Sequence, residues 1–157
     1  MINIIVKKTP NADTRSANGE MNSTMILKDT EEHKRAVQSG LNAIAQELIF
    51  IGEIHDHSKI SNIDEFTQAL SDHADGTKKI KKSAWWAKHR MERHHLNDRV
   101  PDDVNLLDVI EMVVDGVVAG KARTGDVYPI ELSNDILQKA LKNTQELLIK
   151  HTVVAKD

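Results

Sequence analysis

An adjacent histidine and aspartate, His55 and Asp56, follow directly on the apolar run Leu48–Ile54. At the end of an apolar helix, an imidazole or a carboxylate is costly to bury unless it is paired or bound to a cation. Together the two side chains offer a neutral nitrogen and a charged oxygen to one divalent metal. Such a dipeptide also occurs as an ordinary surface or helix-capping pair, so its role depends on the residues that join it.

Further histidines and one aspartate in an apolar setting extend this candidate metal site. They are His33 upstream of the pair and His89, His94, His95 and Asp115 downstream of it. Asp115 lies within the apolar run Ile110–Val118, where an unpaired carboxylate is unfavourable. Its partner there is either a metal ion or a buried arginine or lysine.

The order of these residues, His…His-Asp…His…His…Asp, resembles that of the HD-domain superfamily of metal-dependent phosphohydrolases. A finer pattern resembles a small uncharacterised branch of that superfamily, common in bacteria and their phages. It consists of His55-Asp56-x-Ser58-Lys59, Glu65-Phe66, Trp85-Trp86, His89 and Glu92-Arg93-His94-His95. The resemblance spans roughly residues 31–125. It implies an all-α HD-domain helical bundle with hydrolase activity.

The resemblance implies one or two divalent transition metals as cofactors. The first site would contain His33, His55, Asp56 and Asp115, a mixed shell that suits Mn, Fe, Co, Ni or Zn better than calcium. A second site would take ligands from His89, His94 and His95, with Asp56 as the bridge. Neighbouring residues on a regular helix point in different directions, so one of His94 and His95 is expected to ligate and the other to contact substrate. Alternatively, one of them supports a ligand through a hydrogen bond.

Two adjacent metals could hold a bridging hydroxide that attacks phosphorus in line. The expected substrate is a small phosphate ester, plausibly a nucleotide, and Lys59 is the first candidate to hold its phosphate. The other cationic candidates are Arg90, Arg93, Lys121 and Arg123, each of which is also compatible with a solvated surface charge. Glu92 would relay a proton or orient a histidine. Trp85 or Trp86 would stack on a base, and the other would belong to the core.

Two alternatives to the phosphohydrolase stay open at this point. Some HD proteins resemble di-iron oxygenases, which bind iron through the same residue types. The other hypothesis is a non-catalytic, metal-stabilised module that binds a nucleotide or a protein. Ligand identity alone does not separate these functions.

Composition limits the classes of protein and partner. A chain of 157 residues with 3% aromatic and 29% charged residues predicts one domain of packed helices. Its formal net charge of −3 gives no electrostatic footprint for duplex nucleic acid. The absence of cysteine excludes disulfides and thiolate chemistry. With no membrane-length apolar stretch and no signal-like N-terminus, a cytoplasmic protein without a membrane partner is expected, and homo-oligomerisation stays open.

The predicted order of elements begins with an N-terminal arm over residues 1–28, which includes a short strand or extended segment at 2–6. An HD-like helical domain is predicted over 29–150 and a C-terminal tail over 151–157. Within the domain, helices are expected from Asp29 through Ile54, after Ser61 or Asn62, from the tryptophans to His89, from Pro101, and over 133–149. Residues 72–77 and 120–128 are predicted loops.

Overall fold

The computed structural model describes residues 2–17 and 19–155 and is all-α, as the sequence predicts. Its helices are α1 (Ser23–Ile54), α2 (His57–Ser61), α3 (Ile63–Ala74), α4 (Ala84–His89), α5 (Leu106–Arg123) and α6 (Asn134–His151). Two short strands, β1 (Ile4–Val6) and β2 (Thr152–Val154), and 3₁₀ turns at Pro10–Ala12 and Ile80–Lys82 accompany them. Across the described ranges, every helix is too short or too polar to cross a bilayer.

The chain divides into two units, residues 1–50 with 145–157 and residues 51–144. In the first unit, β1 and β2 pair in parallel, with Ile4 opposite Thr152. The buried Ile4 side chain lies over Gly40 of α1. Asn11 donates from its backbone and side-chain amides to Asp29 Oδ2 at 3.0 and 2.9 Å. The N-terminal arm is therefore fastened to α1 by apolar packing and by hydrogen bonds.

The second unit is built around a small apolar core. That core consists of Leu96, Val104, Met112 and Ala140, with Val100, Leu106, Val109, Ile130, Leu132 and Ile136 packed around it. Asn143 Nδ2 donates to the Val104 carbonyl at 2.8 Å, and the Leu106 amide donates to Thr144 Oγ1 at 2.8 Å. These bonds satisfy polar groups at the start of α5. They fix the helix that carries Glu111 and Asp115.

The predicted starts of two helices are wrong because local capping decides them. α1 begins at Ser23 rather than Asp29, after an Asn22 side chain that accepts from the Met25 amide at 3.0 Å. α5 begins at Leu106 rather than Pro101. There Asn105 and Asp108 form a capping box. The Asn105 side chain accepts from the backbone N–H of Asp108, and the Asp108 carboxylate accepts from the backbone N–H of Asn105.

Other boundaries differ by smaller amounts. α3 extends through Ala74 into the predicted loop at 72–77, and α5 extends through Arg123 into the predicted loop at 120–128. The short helix α2 had no sequence counterpart. Residues 152–154, assigned to a C-terminal tail, form β2. The predicted N-terminal strand is present as Ile4–Val6.

Candidate metal centre

The backbone turns sharply at Asp56, between α1 and α2. Asp56 has φ 56° and ψ 21°, and it is the one non-glycine residue with positive φ among those the structure describes. Aspartate tolerates this left-handed conformation better than most residues, and such conformations cluster at functional sites. The turn ends α1 after Ile54 and presents His55 and Asp56 together within the second unit.

Asp56 belongs to a first ligand group with His89, Glu92 and His95. Each of these four side chains offers one ligand atom, and those atoms all lie within 4.8 Å of one another. His89 ends α4, whereas Glu92 and His95 lie on the turns that follow it. His89 Nε2 is 3.6 Å from Asp56 Oδ1 and 2.9 Å from His95 Nε2. Two imidazole nitrogens and two carboxylates therefore converge on one point.

A second ligand group consists of His55, His94 and Asp115, whose ligand atoms also lie within 4.8 Å of one another. His55 Nε2 is 3.5 Å from Asp115 Oδ1 and 3.6 Å from Asp56 Oδ2. Asp56 thus adjoins both groups, with Oδ1 towards His89 and Oδ2 towards His55. This position is the one that a carboxylate bridging two ions would occupy.

Three buried polar atoms show that these groups fit a cation. Asp56 Oδ1, Glu92 Oε2 and His94 Nε2 are buried and have no hydrogen-bond partner. His94 Nε2 is 3.9 Å from Asp56 Oδ1, which is too long for a hydrogen bond. With metal–ligand bonds of about 2.0–2.2 Å, two ligand atoms on one tetrahedral ion lie roughly 3.4 Å apart. The nitrogen–oxygen separations of 3.5–3.9 Å across the two groups therefore suit shared coordination, whereas His89 Nε2 and His95 Nε2, 2.9 Å apart, are within hydrogen-bond distance.

Glu111 orients the two histidines of the second group. Its Oε1 accepts from His55 Nδ1 at 2.9 Å and lies 3.1 Å from His94 Nδ1. Burial would raise the pKa of Glu111, but hydrogen bonds from His94 and His55 outweigh it and lower that pKa. A neutral imidazole that donates Nδ1–H to this carboxylate presents an Nε2 lone pair; burial would lower the pKa of His94, but Glu111 and the neighbouring carboxylates outweigh it and raise that pKa. Carboxylates that hold metal-ligating histidines in this way raise the basicity of the ligand.

We expect Glu111→Ala to weaken metal binding by roughly 10–100-fold, because both imidazoles lose the acceptor that fixes their tautomer. Glu111→Gln keeps the side-chain length and one acceptor oxygen, so it should retain part of the lost affinity. Titration of each metal-free variant with Mn²⁺ or Co²⁺ measures these metal affinities. Glu53→Gln, an exposed change on α1, is the matched control. Wild-type affinity in a folded Glu111→Ala protein would contradict the positioning role.

Ser58 positions two side chains of the first group by hydrogen bonding. Its backbone amide donates to Glu92 Oε1 at 2.9 Å, and its Oγ lies 2.8 Å from His89 Nδ1. Trp85 stacks on His89 with ring centroids 4.7 Å apart. Burial lowers the pKa of His89, and burial together with the neighbouring histidines lowers that of His95 to about 4. These lowered pKa values favour the neutral imidazole, the state that metal binding requires.

Lys59 forms an ion pair with Asp56 Oδ2. Burial would raise the pKa of Asp56, but the hydrogen bond and charge of Lys59 outweigh it and lower that pKa. The ammonium predicted to hold a substrate phosphate thus lies at the centre itself, where it is paired with a candidate ligand. It neutralises a carboxylate that a metal would also neutralise.

Two predicted site residues have structural roles instead. Arg93 donates from Nε and Nη2 to Asp108 at 2.6 and 2.8 Å, and from Nη1 to Asp103 at 3.0 Å. The buried Asp108 carboxylate requires such a partner, which gives Arg93 a structural role; its assignment to substrate phosphate stays a prediction. Trp85 is 3% exposed and stacked between Phe66 and His89, so it is a core residue and not a base-stacking platform.

His33 is not brought into either ligand group of the described residues. It is exposed on α1 in the first unit. Because α1 is uninterrupted from Ser23 to Ile54, His33 lies about six turns before the end of that helix. The predicted helix already contained both His33 and Ile54, and the assignment of His33 as a ligand depended on the order of the family's ligands alone.

His94 and His95 both join ligand groups, contrary to the expectation that only one would do so. They follow α4 on turns rather than on a regular helix, so adjacent side chains can face neighbouring sites. His94 enters the second group and His95 the first. Glu92, expected to relay a proton or orient a histidine, is itself a candidate ligand.

A cavity of about 420 Å³ opens beside these histidines. Its lining includes His94, His95 and Asp115 of the ligand groups, together with Arg123, Tyr128 and Ile130. Of the remaining predicted cations, Lys121 donates to the Gly125 carbonyl at 3.1 Å, and Arg90 is exposed. Neither of these two lines the cavity. Arg123 is therefore the predicted phosphate-binding cation that lines the cavity.

Glu111 and the positioning role of Ser58 were not predicted from the sequence. Glu111 precedes Asp115 by one helical turn, so it lies on the same face of α5, and this spacing was the available signal. Ser58 lay within the quoted motif without an assigned role. Nothing in the sequence predicted that Tyr128 lines the cavity, because its position depends on how a loop packs against α5.

Comparison with known proteins gives one result. Residues 22–153 match a family of unknown function, DUF5662. Neither the curated proteins nor the solved structures gave a match. The matched range covers most of the chain and contains every residue of both ligand groups. The chain therefore belongs to the DUF5662 family of unknown function.

Proposed function

We propose that this protein is a metal-dependent phosphohydrolase of the HD type that acts on a small phosphate ester. The carrying observation is the set of unpartnered buried atoms on Asp56, Glu92 and His94, located where two ligand groups meet. Such atoms are unfavourable in a protein interior unless a cation binds them. The adjoining cavity supports the proposal because it gives a small molecule access to His94, His95 and Asp115.

The residues would divide the work as follows. Asp56, His89, Glu92 and His95 would hold one divalent ion, and His55, His94 and Asp115, with Asp56, a second. Bound there, such ions supply Lewis-acid activation of water and neutralise charge on a phosphoryl group. Glu111 and Ser58 keep the imidazole nitrogens aimed inwards. Lys59 supplies a further positive charge beside Asp56, and Arg123 receives the phosphate from the cavity side.

The experiment is a metal analysis followed by an activity screen. Protein purified without added metal is assayed for its metal content and then loaded with Mn²⁺, Co²⁺, Ni²⁺ or Fe²⁺. Phosphate release is measured over mono-, tri- and cyclic nucleotides and simple phosphate monoesters. We expect metal-dependent release from at least one of them. No release from the whole panel by metal-replete protein would refute the hydrolase.

A di-iron oxygenase is the second candidate. Two adjacent groups of histidine and carboxylate ligands, joined at one aspartate, also suit a pair of iron ions. The same metal-loaded samples separate the two functions. An oxygenase would consume O₂ with iron alone and release no phosphate. A protein that binds metal but does neither would be a binding module.

A further inference from the structure

We propose that the cavity beside the candidate metal centre selects a ligand with a single phosphate group attached to a ring-containing body, such as a nucleoside, and discriminates against polyphosphates. This inference rests on the proposed function, because it assigns a substrate class to the same centre. It concerns residues outside both ligand groups.

Fixed charge around the cavity favours one phosphate and not three. Arg123 is the one lysine or arginine in the lining, and no ion-pair partner engages it within the described residues. Asp98 and Glu131 also line the cavity and bring negative charge. A triphosphate would place additional negative charge near these carboxylates without further cations to meet it. A single phosphate can be shared between the centre and the Arg123 guanidinium.

Part of the cavity lining is built by the close packing of a loop on α5. A Cβ at Gly120 would lie 2.5 Å from the Asp126 carbonyl oxygen, and one at Gly116 would lie 2.8 Å from Ile130 Cδ1. The segment from Asp126 to Ile130 therefore packs directly on α5 at two glycines. This packing places Tyr128, which is 73% exposed, at the rim of the cavity.

These walls suit a ring-containing ligand of modest size. Met112 and Ile130 offer aliphatic surface, and Tyr128 offers an exposed aromatic face for stacking. The volume of about 420 Å³ lies towards the lower end of the roughly 300–1,000 Å³ typical of small-molecule pockets. A nucleoside monophosphate or an aryl phosphate has the required shape and charge.

Calorimetric titration of the Mn²⁺-loaded protein tests the inference, with adenosine monophosphate, adenosine triphosphate and adenosine as probes. We expect the monophosphate to bind at least tenfold more tightly than the triphosphate. Arg123→Ala should weaken monophosphate binding roughly 10–100-fold, the loss of a charged hydrogen-bonded contact, and leave adenosine unaffected. Lys121→Ala is the matched control, because its ammonium bonds the Gly125 carbonyl away from the cavity lining. Tyr128→Ala should weaken binding of the monophosphate but not of inorganic phosphate.

The outcomes separate this inference from the proposed function. Equal or tighter binding of the triphosphate, no effect of Arg123→Ala, or no binding of any probe would overturn the cavity assignment. Phosphate release that is insensitive to Arg123→Ala would overturn it too, while leaving the hydrolase intact. Monophosphate binding that depends on Arg123 without any hydrolysis would support the site and refute the hydrolase.

Discussion

Replacing Asp56 by alanine is expected to abolish stable metal binding and, with it, phosphate release. The carboxylate adjoins both ligand groups, so its removal would take an oxygen ligand from an ion bound at either group. Bound metal should also raise the melting temperature of the wild-type protein, because binding to the native state alone stabilises it by about 2.7 kcal/mol at a hundredfold excess over Kd. Asp56→Ala should show no such increase. Elemental analysis and thermal melts with and without Mn²⁺ measure both effects.

His57→Ala is the control for this substitution. His57 is adjacent to Asp56 in sequence but exposed and outside both ligand groups of the described residues. It should keep wild-type metal content and the metal-dependent increase in melting temperature. An Asp56→Ala protein with unchanged metal stoichiometry would refute the assignment of Asp56.

Replacing Lys59 by alanine is expected to separate metal binding from turnover. The ammonium competes with a metal for the charge of Asp56, so its removal should leave metal affinity unchanged or increased. Phosphate release should fall roughly 10²–10³-fold, because a positive charge near the transferring phosphoryl group is lost. Metal titration and steady-state kinetics on the same sample measure the two effects.

Lys88→Ala provides the comparison for Lys59. Lys88 is an exposed lysine on α4 whose ammonium donates to Glu65 at 2.7 and 2.8 Å. It should change neither metal affinity nor turnover. A Lys59→Ala protein that loses metal would show that the lysine supports the ligands, and one with wild-type turnover would show that it has no part in the reaction.

The helical architecture was predictable because apolar spacing repeats through α5 and α6. The precise starts were less accessible, since they depend on single side chains. Pro101 has the favourable first-turn preference of proline, but Asn105 accepts from the Leu107 amide at 2.9 Å and Asp108 closes the capping box. These reciprocal hydrogen bonds, and not the proline, set the start of α5. Pairing of β1 with β2 joins residues far apart in sequence, and a three-residue strand carries no pattern that specifies its partner.

The residues of the candidate centre were predictable where a polar side chain occurs within or directly after an apolar stretch of sequence. A carboxylate in the apolar run of α5 identified Asp115, and the adjacent pair after α1 identified His55 and Asp56. His33 was assigned from ligand order alone, and a continuous helix does not return it to the pair. Glu111 escaped notice because an acid on a helix is common, and only the positions of His55 and His94 give it a role.

The most direct test is crystallography of the protein grown with Mn²⁺, using anomalous scattering to locate the ions. The account predicts an anomalous peak bonded to Asp56 within the first ligand group and a second within the His55, His94 and Asp115 group. Glu111 should contact the Nδ1 atoms of His55 and His94 in the same map. Crystals of metal-containing protein with no peak at either group would contradict the metal centre at Asp56.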